Sequence, residues 1–167
     1  EDIIVRVSPL KRMISTLVSI AMVFVLFDVG IGSLGFAPID YLLSNSIVSL
    51  LFTLLVVGGA VNAINIIDGY NGLMTGYCII VLIAITYVAN ILGDDLIIQL
   101  SLILIASLLG VFIFNFPFGK IFMGDGGAYF VGFMLAVIGL ILVDRHEELS
   151  NWFVLLIFIY PMYELLY

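Results

Sequence analysis

The chain has 167 residues, of which 64% are hydrophobic and only 10% are charged, and its formal net charge is −7. A soluble domain carries about 25% charged residues, so this chain has too few polar side chains to cover a water-exposed globule. Five basic residues against twelve acidic ones also exclude the basic surface that nucleic-acid binding requires. The composition therefore indicates a membrane protein with no nucleic-acid partner.

Apolar runs separated by short polar breaks predict about six membrane-spanning helices. One crossing of about 30 Å of hydrocarbon takes about 20 apolar residues, and lipid excludes open strands because their backbone polar groups would stay unsatisfied. The predicted fold class is therefore all-α, a polytopic membrane helical bundle forming one domain over residues 1–167. The predicted spans are 13–31, 44–62, 73–92, 96–116, 127–143 and 151–167.

The basic residues indicate which helix ends face the cytoplasm. With six crossings, Arg6, Lys11, Arg12 and Lys120 fall on one side of the membrane and Arg145 falls on the other. Lysine and arginine in short loops favour the cytoplasmic side, so we expect the first side to be cytoplasmic. The acids of the external loops are interpreted as a solvated rim without a chemical role: Asp40, Asp94, Asp95, Asp144, Glu147 and Glu148.

The first polar motif covers residues 62–73 at a cytoplasmic helix end. If the helix continued through it, Asn62, Asn65 and Asp68 would lie within about 120° of one another on one face. Glycines after the aspartate allow a tight turn, which keeps Asn71 near Asp68. A helix terminus with ordinary stop signals is the plainer interpretation, but so many amides beside an acid in so apolar a chain favour a polar cup.

The second polar motif covers residues 115–128. Pro117 ends one predicted helix, and Gly126 and Gly127 precede the next apolar run, so their exposed amides could face an anion. An aspartate there, Asp125, makes sense when a cation bridges it to a phosphate, and Mg²⁺ binds in that way. Lys120 adds a positive charge for phosphate, although a membrane anchor is an equally good interpretation of that lysine alone.

The first residues form a third stretch, in which Glu1 and Asp2 precede several basic side chains. Segments with mixed charges are common beside membrane helices, so this stretch alone is weak evidence for a functional site. All three stretches nevertheless lie on the predicted cytoplasmic side. Asp2, Asp68 and Asp125 together with Lys120 would form a pocket for Mg²⁺ and a diphosphate, which suggests phosphoryl transfer.

Both motifs resemble those of the polyprenyl-phosphate N-acetylhexosamine-1-phosphate transferases, the family that includes undecaprenyl-phosphate GlcNAc-1-phosphate transferase and phospho-MurNAc-pentapeptide translocase. The residues that carry the resemblance are Asn62, Asn65, Asp68, Gly69, Gly72, Leu73, Asn115, Pro117, 120–125 and Gly127. Glu1 and Asp2 stand at the place of the family's aspartate pair. The resemblance implies that a polyprenyl phosphate attacks the sugar-linked phosphorus of a UDP-N-acetylhexosamine, and that UMP leaves.

The resemblance also implies roles for single residues. Asp125 would bind Mg²⁺, with Mn²⁺ as an alternative, and Asp2 would be an essential acid of the lipid-phosphate site and share the metal. Phe122 would lie against the uracil. The full predicted site comprises catalytic Asp2, Asp68 and Asp125 and substrate-binding Asn62, Asn65, Asn71, Asn115, Lys120 and Phe122.

Some positions depart from the family pattern. Glu1 stands where aspartate is common, Asn71 where many members have a second aspartate, and Ala128 where serine is frequent. The family's earlier helices and its later histidine-rich loop have no counterpart, and His146 lies on the external side. We therefore expect a transferase core truncated at both ends, with altered substrate choice and no activity by itself.

The expected partners are a UDP-N-acetylhexosamine and a polyprenyl phosphate, and a homodimer is left open. The expected location is the bacterial inner membrane, multi-pass, with a cytoplasmic active site that initiates a lipid-linked envelope glycan such as O-antigen or capsule. Phospho-MurNAc-pentapeptide transfer is the alternative. An ion-coupled transporter is the alternative from another class, but its acids should lie near mid-helix in two halves of a repeat.

Overall fold

The structure, a computed structural model, describes residues 8–166, and within them every regular element is a helix. The predicted all-α bundle is confirmed. Five of the helices, α1 and α3 to α6, are long and apolar enough to cross a membrane. In chain order the helices are α1 (Pro9–Phe27), α2 (Ala37–Leu43), α3 (Ser46–Ile67), α4 (Leu73–Leu92), α5 (Asp95–Asn115), α6 (Gly124–Arg145), α7 (Trp152–Leu156) and α8 (Ile159–Leu166).

Local stop signals set several helix ends. Glycines with positive φ stand at both ends of α4, Gly72 at 75° and Gly93 at 71°, and this helix has the predicted bounds. Helix α1 begins and ends four residues before its predicted span, because Ser8 caps its start by accepting a hydrogen bond from the Lys11 N–H and Asp28 ends it with a φ of 56°. The short α2 was not predicted.

Helices α3 and α6 pack against each other at the centre of the bundle. Their contact is close at Gly132, where a Cβ atom would lie 3.1 Å from the Val61 Cα and 3.2 Å from the Ile64 Cβ. Small residues allow such backbone approach between membrane helices. Helices α1 and α8 pack on α3, and α4 pairs with α5. The loops after α3 and α5 lie at the same end of the bundle, where hydrogen bonds join them.

The predicted sixth span, 151–167, is wrong as one continuous helix. The chain there forms α7 and α8, with a break at Ile157 and Phe158. Pro161 has no N–H to donate to the Ile157 carbonyl, and its ring would crowd that oxygen in a continuous helix. The Tyr77 hydroxyl donates to the Ile157 carbonyl oxygen at 2.6 Å instead, so the broken helix loses no hydrogen bond at this carbonyl.

At the opposite end of the bundle from the polar motifs, the interpretation of Asp94 as a solvated acid is wrong. Asp94 is 3% exposed, and its Oδ2 accepts from Arg145 Nε at 2.7 Å and lies 3.0 Å from His146 Nε2. Its Oδ1 accepts from the Ile97 N–H at 3.2 Å. Asp94 therefore caps α5 and joins it to the end of α6. Asp95, Asp144, Glu147 and Glu148 are exposed.

Candidate functional site

The first polar motif lies on a longer helix than predicted. Helix α3 continues past residue 62 to Ile67 and Asp68 is its C-cap, because side chains from α6 pair with its amides. Asn62 Oδ1 accepts a hydrogen bond from the Tyr129 hydroxyl at 3.0 Å. One turn later, Asn65 Nδ2 donates to Asp125 Oδ1 at 3.1 Å. The two predicted motifs therefore meet.

Asn115 and Asn71 join the loop after α3 to the loop after α5. Asn115, which is 3% exposed, accepts from the Gly72 N–H through Oδ1 and donates from Nδ2 to the Ile121 carbonyl oxygen at 2.7 Å. Asn71 Nδ2 donates to the Pro117 carbonyl oxygen at 3.0 Å. These side-chain amides bond to backbone, so they fix the position of one loop against the other.

Two glycines allow the loops to approach this closely. Gly72 has a φ of 75°, and a Cβ atom there would lie 2.9 Å from the Phe116 side chain. Gly119 has a φ of 59°, and its Cβ would lie 2.7 Å from Asn71 Oδ1. Both positions combine a left-handed backbone with a close neighbour, and only glycine meets both demands.

Asp125 lies within the first turn of α6. This helix begins at Gly124, three residues before the predicted start, so Gly126 and Gly127 lie inside the first turn and not before it. The positive end of the helix dipole stabilises an acid here. Arg12 of α1 forms an ion pair with Asp125 Oδ2, while Asn65 bonds to Oδ1.

Asp68, the C-cap of α3 three residues after Asn65, is half-buried. Burial disfavours its charged form and raises the pKa of its carboxyl group from 3.8 to about 6. A carboxyl group with this pKa is mostly ionised at neutral pH and takes up a proton easily, which suits a group that exchanges protons with a ligand.

Lys120 and Phe122 lie on the exposed part of the second loop. Within residues 8–166 no ion pair involves Lys120, and Phe122 is 53% exposed. A groove of about 720 Å³ lies between α4, α5 and α8, and Asn71 is one of its lining residues. Aromatic side chains from these helices and loops line it, namely Tyr70, Tyr77, Phe112, Phe116 and Tyr160. Phe122 does not line this groove.

Asp2 and Glu1, the predicted acids of the lipid-phosphate site, lie outside the described residues. The structure adds Tyr129 and Arg12 to the site, and neither is among the predicted site residues. Tyr129 follows Asp125 by one helical turn, and this spacing places two side chains on one face. For Arg12 no local signal exists, since its partner is more than 100 positions away along the chain.

The donor atoms at the site are oxygens, which Mg²⁺ prefers. Residues 8–166 contain no cluster of three or more acidic, histidine or cysteine side chains that could hold a metal. Mg²⁺ needs only one or two carboxylates when substrate phosphates and water complete its shell. Asp125, half-exposed at a helix start, fits that description.

A second, apolar groove of about 490 Å³ runs between α1 and α3 and ends beside the polar residues. Gly58 and Gly59 line it on the α3 side, and Asn62 and Tyr129 lie at its polar end. On the α1 side its lining begins at Met13, directly after Arg12. The polar end of the groove thus lies one helical turn along α6 from Asp125 and one residue along α1 from Arg12.

Helices long enough to span a membrane, with polar side chains gathered at one end, define a multi-pass membrane protein with a candidate site at that end. The model of glycosyl transferase family 4 matches residues 1–143, and the chain belongs to this family.

Three similar curated proteins illustrate the family. A probable undecaprenyl-phosphate N-acetylglucosaminyl 1-phosphate transferase of Bacillus subtilis is 45% identical over 53% of this chain and 25% of its own length. Phospho-N-acetylmuramoyl-pentapeptide-transferase of Streptococcus thermophilus is 41% identical over 55% of this chain and 27% of its own length. The enzyme of the same name from Leuconostoc citreum is 30% identical over 79% of this chain and 41% of its own length.

The matched part of this chain spans about a quarter of the length of the first two of these relatives. No solved structure matches the chain at a significant level.

Proposed function

We propose that this protein transfers an N-acetylhexosamine-1-phosphate from a UDP-sugar to a polyprenyl phosphate on the cytoplasmic side of a bacterial inner membrane. The observation that carries the proposal is the hydrogen bond from Asn65 to Asp125, which joins two polar motifs 60 positions apart. Membership of glycosyl transferase family 4 supports it, as do the names of the relatives. The lipid-linked product would begin an envelope glycan.

The reaction forms a bond from a lipid-phosphate oxygen to the sugar-linked phosphorus, and the bond from that phosphorus to UMP breaks. Catalysis of such a transfer depends on positioning and on neutralising phosphate charge. Asp125 would hold a Mg²⁺ ion, with Asp2 as its second carboxylate, and the bound ion would offset the charge of the diphosphate. Asp68 would take up the proton of the attacking phosphate, and Lys120 would contact the donor's phosphates.

The groove between α1 and α3 fits the acceptor. Its apolar lining suits an isoprenoid chain, and its polar end would bring the lipid's phosphate to Arg12 and Asp125. Gly58 is a point at which the groove can be filled, because a Cβ atom there lies 3.0 Å from a Leu17 methyl group. Gly58→Leu should therefore raise the KM for the lipid while the KM for the UDP-sugar stays the same.

UMP release by the full-length protein in detergent tests the proposal. The assay contains undecaprenyl phosphate and one UDP-N-acetylhexosamine at a time, with Mg²⁺ or a chelator. We expect release that needs both lipid and metal, and that Asp125→Asn abolishes. Asp95→Asn is the matched control, because Asp95 is an exposed acid at the other end of the bundle. Absence of release with every donor from a folded protein would contradict the proposal.

The choice of donor is the second question for the same assay. Several relatives carry the name phospho-N-acetylmuramoyl-pentapeptide-transferase, so UDP-MurNAc-pentapeptide belongs in the panel. An amide at Asn71, where many members of the family have a carboxylate, favours UDP-GlcNAc or a related aminosugar. The transporter alternative has no support in the fold, since Asp68 and Asp125 lie together at one end of the bundle.

A further inference from the structure

Both carboxylate oxygens of Asp125 already have partners within the chain. Asn65 donates to Oδ1 at 3.1 Å, and the Arg12 guanidinium pairs with Oδ2. The Arg12 side chain is 23% exposed and that of Asp125 is 50% exposed. Asp125, the proposed metal ligand, is therefore already paired with a positive charge from the same chain, the Arg12 guanidinium.

A divalent cation and this guanidinium compete for the same oxygen. A divalent cation and a guanidinium about 4 Å apart repel each other by about 2 kcal/mol in water and by about 8 kcal/mol near a protein surface, twice the energy of two unit charges. Mg²⁺ binds carboxylate oxygens at about 2.0–2.1 Å, so an ion on Oδ2 would lie close to the guanidinium that pairs with the same oxygen. Metal binding at Oδ2 therefore weakens the pair with Arg12 and favours movement of Arg12 away from it.

Arg12 has a place to move to. It lies directly before Met13, the first residue of α1 that lines the apolar groove, and the polar end of that groove is formed by Asn62 and Tyr129. A planar guanidinium binds phosphate oxygens well. A displaced Arg12 would thus face an anionic group held at the end of the groove.

We infer that Arg12 is an exchangeable counter-ion of Asp125. It neutralises the carboxylate when no divalent cation is bound, and cation binding releases the guanidinium to bind a phosphate at the end of the α1–α3 groove. The inference rests on the proposed function, because it takes Asp125 as the metal ligand. The competing explanation is that Arg12 permanently ties α1 to α6 and so holds Asp125 in place. Removal of Arg12 would then loosen Asp125 and weaken cation binding.

Binding of Mn²⁺ alone, followed by electron paramagnetic resonance of the free ion, tests the inference without an activity assay. The full-length protein is placed in nanodiscs of uncharged phosphatidylcholine, so that lipid headgroups hold little Mn²⁺. We expect Arg12→Gln to bind Mn²⁺ about fivefold more tightly than wild type, which corresponds to the loss of a partly exposed ion pair. Arg12→Lys keeps the competing charge and should stay close to wild type.

Lys11→Gln is the matched control, because it removes one positive charge from the neighbouring, exposed position of α1. A long-range charge effect would tighten binding equally in Lys11→Gln and Arg12→Gln, whereas displacement from Oδ2 tightens it only in Arg12→Gln. Arg12→Met, which keeps the apolar stem of the side chain, is the second variant if Arg12→Gln does not fold.

Asp125→Asn separates failure of the inference from failure of the proposed function. If Asp125→Asn binds Mn²⁺ as wild type does, Asp125 is not a metal ligand, and both the metal site and the inference fall. If Asp125→Asn loses binding but Arg12→Gln binds no more tightly than wild type, the inference alone is overturned. Loss in Asp125→Asn with tighter binding in Arg12→Gln supports both.

Discussion

Asn115 and Gly72 are 43 positions apart, yet the side-chain carbonyl oxygen of Asn115 accepts a hydrogen bond from the Gly72 backbone N–H. The same side chain donates to the Ile121 carbonyl oxygen at 2.7 Å. A buried side chain that is bonded to two loops holds them at a fixed distance. Asn115 thus positions Asn71 on one loop and Asp125 beyond the other, in addition to the predicted role in the substrate pocket.

Asn115→Ala should therefore reduce both stability and activity. The substitution leaves the buried Gly72 N–H and the part-buried Ile121 C=O without partners, and a buried group without a partner costs about 1–3 kcal/mol. We expect the free energy of unfolding to fall by about 1–3 kcal/mol and UMP release by the surviving folded protein to fall at least about tenfold, because small misplacements of catalytic groups are costly. Thermal unfolding in detergent and the UMP assay measure the two effects.

Asn90→Ala is the control for this prediction. Asn90 is an exposed asparagine near the opposite end of α4, so its loss should change neither quantity. An Asn115→Ala protein with the melting temperature and rate of wild type would show that the two loops hold their positions without this side chain.

Gly119→Ala should raise the KM for the UDP-sugar while lowering the free energy of unfolding only moderately. Its φ of 59° disfavours any Cβ atom, and the added methyl group would push Asn71 away from the Pro117 carbonyl because it would lie 2.7 Å from Asn71 Oδ1. The left-handed backbone costs about 1–2 kcal/mol, whereas the displaced Asn71 leaves the predicted substrate pocket. We expect the KM for the UDP-sugar to rise severalfold.

Gly93→Ala provides a control with the same backbone strain. Gly93 has a φ of 71° at the other end of α4, and nothing lies within 4 Å of its Cβ position. The two variants should lose similar stability, and only Gly119→Ala should change the KM. Equal KM values for both variants would show that Asn71 does not contact the donor.

The fold followed from the sequence wherever the signals were local. The apolar run of α4 between Gly72 and Gly93 predicts both of its ends, because glycines with positive φ stop helices whatever surrounds them. The end of α3 needed tertiary information. Asn62 and Asn65 interrupt the apolar run and suggest a stop, yet the helix continues to Ile67 because Tyr129 and Asp125 pair with these amides.

The same distinction applies to charged residues. Asp68 and Asp125 were predicted as site residues from their neighbours in the chain, and the structure brings Asp125 against Asn65. Arg12 and Asp94 gave no such signal, because the partner of each is supplied by the fold from far along the chain. Short acidic loops are usually solvated, so burial of Asp94 could not be predicted from composition.

The raised pKa of Asp68 predicts a pH dependence of the reaction. Burial raises this pKa to about 6, and as a proton acceptor Asp68 works only when ionised, so the rate should fall as the pH drops below about 6. A phosphate monoester dianion takes up one proton near pH 6, so the lipid phosphate below this pH is a monoanion that still has a proton for Asp68 to accept. The logarithm of the UMP-release rate should therefore fall with a slope of about 1 per pH unit below pH 6 in wild type, and this decline should be absent in Asp68→Asn. Equal slopes in the two proteins would assign the whole decline to the lipid phosphate.

The pair formed by Asp94 and Arg145 predicts a change in stability without a change in chemistry. Burial would raise the pKa of Asp94, but hydrogen bonds from His146, Arg145 and the Ile97 N–H outweigh it and hold the pKa below its ordinary value of 3.8. The ionised carboxylate therefore stabilises the folded protein above about pH 4, and this contribution is lost as the pH falls further.

Asp94→Asn keeps an acceptor for the Ile97 N–H but loses the charge that faces Arg145. We expect it to lower the free energy of unfolding by about 1–3 kcal/mol at pH 7 and to reduce the loss of stability below pH 4. UMP release at low temperature should stay at the wild-type rate, because Asp94 lies at the end of α4 and α5 opposite the site. Asp95→Asn, at the exposed neighbouring position, should change neither quantity. If fully folded Asp94→Asn protein releases UMP more slowly than wild type, the two ends of the bundle are coupled.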